Sequence, residues 1–174
     1  GLDLLALDST RTDGTTKVGG GLTTPSRKWL AALPEPTGPR IVTCHHPLGP
    51  VPEPLGSALP ERSYRLRNSR VIADELAGAG VDFLMAGHVH WPYVRTYRGL
   101  TVVGVPSVSS FPPAYALVQI SPAGTTVSLV PVAGEAGLIE AYEFALEDSN
   151  RGDAIREAVS TGYFDSLSDQ PTPA

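Results

Sequence analysis

The stretch Val81-Asp82-Phe83-Leu84-Met85-Ala86-Gly87-His88-Val89-His90 decides the fold. Its first six residues are apolar but for Asp82, the pattern of a strand covered on both faces. Gly87 then frees the backbone where two histidines follow. A second stretch is built the same way: Ile41-Val42-Thr43-Cys44 is short and β-branched, and it delivers His45-His46-Pro47 at its C-terminal end. The two motifs hold all 4 histidines of the 174-residue chain. Imidazole is the commonest metal-ligating side chain, so histidines gathered at two strand ends predict a metal centre.

In an extended segment, residues i and i+2 face the same side about 6.6 Å apart. At that separation His88 and His90 can each grip one ion of a pair about 3.5–4 Å apart, or both can share one ion. A pair of histidines on an exposed loop is the bland alternative, and it leaves the strand leading into Gly-His-x-His unexplained. Pro47 biases His46 towards an extended conformation, which turns the rings of His45 and His46 to opposite sides. One of the two then faces the site, while the other supports it by a hydrogen bond or packs in the core. Alternation alone does not say which. Cys44, next to this motif, reads as a small residue of a buried strand.

Working outward, residues 2–7 form an apolar run closed by Asp8-Ser9, a buried strand meeting a loop. Residues 10–21 read as a surface loop, and Thr24-Pro25 as a helix start with Trp29, Leu30 and Leu33 on its apolar face. Residues 48–60 are too rich in proline for a helix or a central strand. Asn68 or Ser69 caps the next helix, in which Val71, Ile72, Leu76 and Ala79 recur at helical spacing before Gly78 and Gly80 terminate it. Strand, helix, strand, helix, strand predicts a layered α/β sheet. Short strands at 92–97, 100–105, 115–120 and 126–130 then form or extend a sheet. A further helix is expected at 153–159, and the last residues are expected to fray.

Composition bounds the function. A net charge of −5 provides no global attraction for nucleic acid or an anionic membrane. No run approaches the roughly 20 apolar residues of a membrane helix. With 1 cysteine there is no intrachain disulfide, and the lean is to the cytoplasm.

His45-His46-Pro47 followed 43 residues on by Gly87-His88-Val89-His90 resembles the last two motifs of calcineurin-like metallophosphoesterases. The strand end at Leu7-Asp8-Ser9, the Trp29-Leu30 helix and the 81–86 strand look like the branch containing bacterial class III cyclic-nucleotide phosphodiesterases. The resemblance implies His45, His88 and His90 as metal ligands, with His45 and His88 on one ion and His90 on the other, and His46 in support. It also implies two divalent transition-metal ions (manganese, iron or zinc) and a metal-bridging hydroxide. The family's earlier motifs, Asp-x-His, a bridging Gly-Asp and Gly-Asn-His, are absent, apart from Gly152-Asp153 in the polar tail. No catalytic group beyond the ligands is therefore expected in this chain.

The expected fold is α/β: the C-terminal half of a metallophosphoesterase sandwich of two packed β-sheets flanked by helices. Residues 1–147 would form that half, and residues 148–174 a polar, partly disordered extension. The expected function is hydrolysis of phosphomono- or diesters, with 3′,5′-cyclic nucleotides among the candidates. The expected partners are a small phosphoester substrate and the missing N-terminal half of the domain, with no nucleic-acid polymer and no membrane. The opposing reading is an inactive fragment or partner subunit with at most a partial metal site. Among lesser candidates, Arg62, Arg65, Arg67 and Arg70 could touch a phosphate but read by default as a solvated face. Asp8 and Asp82 read as capping groups, Trp91 and Tyr93 as packing.

Overall fold

The computed structural model describes residues 1–10, 19–59, 64–121, 124–147, 151–167 and 170–171. Arg62, most of the loop expected after Ser9 and the end of the tail lie outside the described residues. The class is α/β, and the chain forms two compact units. One comprises Gly1–Pro50, Pro60–Val89 and Arg95–Val103; the other comprises Val51–Leu59, His90–Val94 and Gly104–Ala174.

In the first unit, β1 (Asp3–Leu7), β2 (Arg40–Cys44) and β3 (Phe83–Ala86) run parallel. With β4 (Tyr93–Tyr97) and β5 (Leu100–Gly104) they make a five-stranded sheet of order β1-β2-β3-β5-β4. Strand β2 is interior, and Ile41 and Val42 are buried, as are Phe83, Leu84 and Ala86 of β3. A strand covered on both faces has no polar face to display, which is why both read as continuous apolar runs. Strand β1 is the sheet edge and alternates instead: Leu7 is buried while Leu4, and Leu2 just before the strand, are 64% and 56% exposed.

Helix α1 (Thr24–Ala31) is capped one residue earlier than the sequence suggested. Thr23 Oγ1 accepts from the Ser26 N–H at 3.2 Å, which leaves Pro25 in the first turn, where its missing N–H costs nothing. Of the expected apolar face Leu30 is buried, whereas Trp29 stands half exposed. The next helix, α2 (Leu55–Ala58), belongs to the second unit and corrects the expectation that no helix forms among the prolines. Its N-cap is Pro54, so the prolines precede the turn rather than interrupt it. Helix α3 (Ser69–Gly78) buries Ile72, Ala73 and Leu76, while Val71 faces out. It ends as a Schellman motif: the Val81 N–H donates to Leu76 O at 3.0 Å and Gly80 takes φ +70°. An ion pair from Arg27 to Glu75 ties α1 to α3.

In the second unit, β6 (Ala114–Ser121) and β7 (Gly124–Pro131) form an antiparallel hairpin, with the two-residue β8 (Gln170–Pro171) beside β7. Helix α4 (Glu135–Ala145) had no counterpart in the sequence reading. It buries none of its residues and leaves Ile139 and Phe144 exposed, so no amphipathic stripe announced it. Helix α5 (Gly152–Ser160) lies where a helix was expected and buries Ala154, Ile155 and Ala158. Trp91 is fully buried against the rings of Tyr163 and Phe164, which confirms its reading as a packing residue. Among the described residues no helix is long and apolar enough to cross a membrane.

Burial pushes the Tyr163 phenol up to about 12, partly opposed by the neighbouring Trp91 indole, and its hydroxyl donates to Pro92 O at 3.0 Å. A phenol raised on folding stabilises the fold below its unfolded pKa near 10, and that contribution is lost as the pH climbs through 12. An ultraviolet tyrosinate titration is expected to show Tyr163 ionising about two pH units above a free phenol. Tyr163→Phe should remove that late step; a single step near pH 10 in the wild type would contradict the buried placement.

Candidate metal centre

The strand register builds the centre. Leu7 pairs with Cys44, and Cys44 with Ala86, in parallel. Two residues beyond those pairs, at the C-terminal ends of three adjacent strands, come Ser9, His46 and His88. Outside the carboxyl ends of parallel strands is where open α/β sheets place their ligands.

One candidate ligand atom from each of His45, His46 and His88 lies within 4.8 Å of the others. His45 Nε2 and His88 Nδ1 face each other at 2.8 Å. The ring centroid of His46 is 4.9 Å from that of His45 and 4.6 Å from that of His88. Tyr64 sets its ring 5.3 Å from His88. His45 is exposed, His88 half-buried and His46 buried.

The ring of His46 thus sits with His45 and His88, not on the opposite side as Pro47 led one to expect. Strand β2 ends at Cys44 and the chain bends at His45 and His46, so the alternation of an extended strand no longer applies there. Similarly, His88 and His90 take φ of +56° and +51°, in the left-handed region, and are not the extended pair of the i, i+2 argument. His90 belongs to the second unit, where its Nδ1 is 3.1 Å from Ser110 Oγ.

Sequence reasoning passed over two residues that hold His46. Ser9, fully buried, accepts from the His46 N–H at 3.1 Å, and its Oγ lies 3.0 Å from His46 Nδ1. Its signal was its position just past a parallel strand, level with the His-His motif. Gly20 lies so close that a Cβ there would come within 2.4 Å of His46 Cγ. Burial, and then the neighbouring His45 imidazole, lower the pKa of His46, with a hydrogen bond at Ser9 pulling the other way. Lowering favours the neutral ring, the form that ligates metal. Burial pushes the Cys44 thiol up to about 12, and its S–H points to His46 O at 3.2 Å, so it is not a thiolate ligand. Asp8 is occupied in capping: its carboxylate accepts from the Thr10 hydroxyl and from the Thr10 N–H at 2.8 Å, which lowers its pKa. Arg67 and Arg70 are exposed.

Converging imidazoles, one of them oriented through its other ring nitrogen, fit a divalent transition metal. The trio contains no carboxylate.

No family model matches the chain, and no curated protein does. Among solved structures the chain is similar to a dimetal phosphatase from Danio rerio, at 15% identity and TM-score 0.48, over 64% of this chain and 36% of the other. It also resembles Vps29 from Entamoeba histolytica in two structures. A single mutant matches at 13% identity and TM-score 0.30 over 72% of this chain and 90% of that one. The wild type complexed with zinc matches at 11% identity and TM-score 0.32 over 76% and 93%. The chain therefore spans about a third of the phosphatase's length.

Proposed function

We propose that this chain contributes the histidine side of a metal-dependent phosphoester hydrolase, acting on phosphomono- or diesters. The convergence of His45, His46 and His88 at parallel strand ends carries the reading. The resemblance of its two histidine motifs to the calcineurin-like metallophosphoesterases supports the same class, and with it the sandwich architecture and a second ion at His90. Cyclic nucleotides are one candidate substrate class, and a cytoplasmic location belongs to the same reading.

A divalent metal in such a site supplies Lewis acidity, activating water and offsetting charge on phosphate oxygens. The chain's own part is to hold and orient. His45 and His88 would bind through the nitrogens that already face each other, while Ser9 fixes the His46 ring beside them. The trio offers no carboxylate to bridge a pair of metals. A carboxylate-bearing N-terminal half of the domain is the partner this reading calls for. The exposed Leu4 on edge strand β1, with Leu2 just before the strand, is a surface on which it could dock. The absent carboxylate also supports the second reading, a partner subunit with a partial metal site and no turnover of its own.

The test is hydrolysis of an activated aryl phosphodiester by the zinc- or manganese-loaded chain, alone and co-expressed with any coding sequence upstream of Gly1. Slow or no turnover alone is expected, with rescue on co-expression and a loss of about a hundredfold or more in His88→Ala. No turnover in either form would leave the partner-subunit reading standing. Robust turnover by the chain alone would show that no further carboxylate is needed.

A further inference from the structure

The cluster goes further than its reading as the histidine side of a hydrolase. We infer that His45, His46 and His88 together bind one divalent ion as a three-imidazole centre, so that His46 is itself a ligand. The inference rests on the reading of this cluster as a metal centre and departs from the supporting place that sequence gave His46.

Distances are the first ground. Two nitrogens bound to one tetrahedral ion at about 2.0–2.1 Å lie about 3.3–3.4 Å from each other. His45 Nε2 and His88 Nδ1 stand at 2.8 Å, and the whole set of candidate ligand atoms fits within 4.8 Å. Closing the widest pair, at most 4.8 Å apart, to that spacing takes a movement of about 1.5 Å or less.

The way the His46 ring is held is the second. Its Nδ1 is engaged by Ser9 Oγ, a group that also accepts the His46 backbone N–H. That leaves Nε2 as the ligating atom, with the opposite nitrogen fixed by a buried partner, the usual arrangement of a metal-bound imidazole. Gly20 backs the ring so tightly that no side chain fits there, which keeps the imidazole beside His45 and His88.

The donor set then selects the ion. Three imidazole nitrogens without a carboxylate suit zinc, cobalt, nickel or copper. Magnesium and calcium require oxygen ligands and are excluded. Three protein ligands also leave a fourth position for water, the form of a catalytic rather than a purely structural site.

Cobalt(II) titration followed by visible absorption tests this on the full chain. The wild type should take up cobalt with the ligand-field bands of a low-coordinate site. His46→Gln should bind more than about a hundredfold more weakly, beyond the 10–100-fold typical of losing a supporting hydrogen bond such as that in Ser9→Ala. His46→Cys should gain a thiolate-to-cobalt charge-transfer band in the near ultraviolet, which a merely supporting residue could not produce. Should the variants fail to fold, long-range proton–nitrogen spectra of the wild type with spin-half cadmium should show metal coupling at three imidazoles. Cobalt uptake with no charge-transfer band in folded His46→Cys, or cadmium coupling at only two rings, would overturn the inference and leave the metal centre intact. No uptake by the wild type would remove the metal centre itself.

Discussion

Arg40→Ala is expected to destabilise the first unit by about 3 kcal/mol, read as a lower midpoint in urea. The Arg40 guanidinium is buried, 2% exposed, at the start of β2. It donates to Asp3 Oδ2 at 2.8 and 3.1 Å, to Pro34 O at 2.8 Å and to Ala79 O. One side chain thereby joins the edge strand, the loop after α1 and the C-terminal end of α3, where a cation is favoured by the helix dipole. Alanine would leave two carbonyls without this donor and a void in place of the side chain. Asp3→Asn should cost only about 1 kcal/mol, because its carboxylate is 43% exposed and can be rehydrated. Equal losses in both variants would mean that the ion pair, rather than the buried guanidinium with its carbonyls, holds these elements together.

Gly20→Ala is the second large effect. A Cβ at Gly20 would lie 2.4 Å from His46 Cγ and 2.6 Å from both its Cβ and Nδ1. These are the root and ring of the side chain, not a flexible end that can swing aside. The imidazole must leave its place and give up Ser9, at a cost of about 1–3 kcal/mol from overpacking alone. Metal affinity should fall about 10–100-fold or more, measured by titration of the folded variant. Unchanged affinity would show that the position of His46 does not matter to the centre.

These two residues show where sequence stops being informative. Strands β2 and β3 were legible because an interior parallel strand has no polar face to hide its pattern, and the histidine motifs were legible because they follow such runs. Arg40 was not, since a charged residue before a strand reads as solvated and two of its three partners are carbonyls, which every residue carries. Gly20 stands among other glycines in a polar stretch, and its requirement comes from a histidine brought beside it only by folding. The mutual placement of His45, His46 and His88 failed for a local reason: period-two alternation ends with the strand at Cys44, and His88 and His90 adopt left-handed backbone. Helix α4 escaped notice because it has no buried face to write a period into the sequence.

Whether the strand-end imidazoles form a metal centre is decided by calorimetric titration of zinc into the purified chain and into His88→Ala. The wild type should bind zinc saturably and the variant about a hundredfold or more weakly, with the fold of both unchanged by circular dichroism. Absence of zinc binding in the wild type, or equal binding by folded His88→Ala, would contradict a metal centre there.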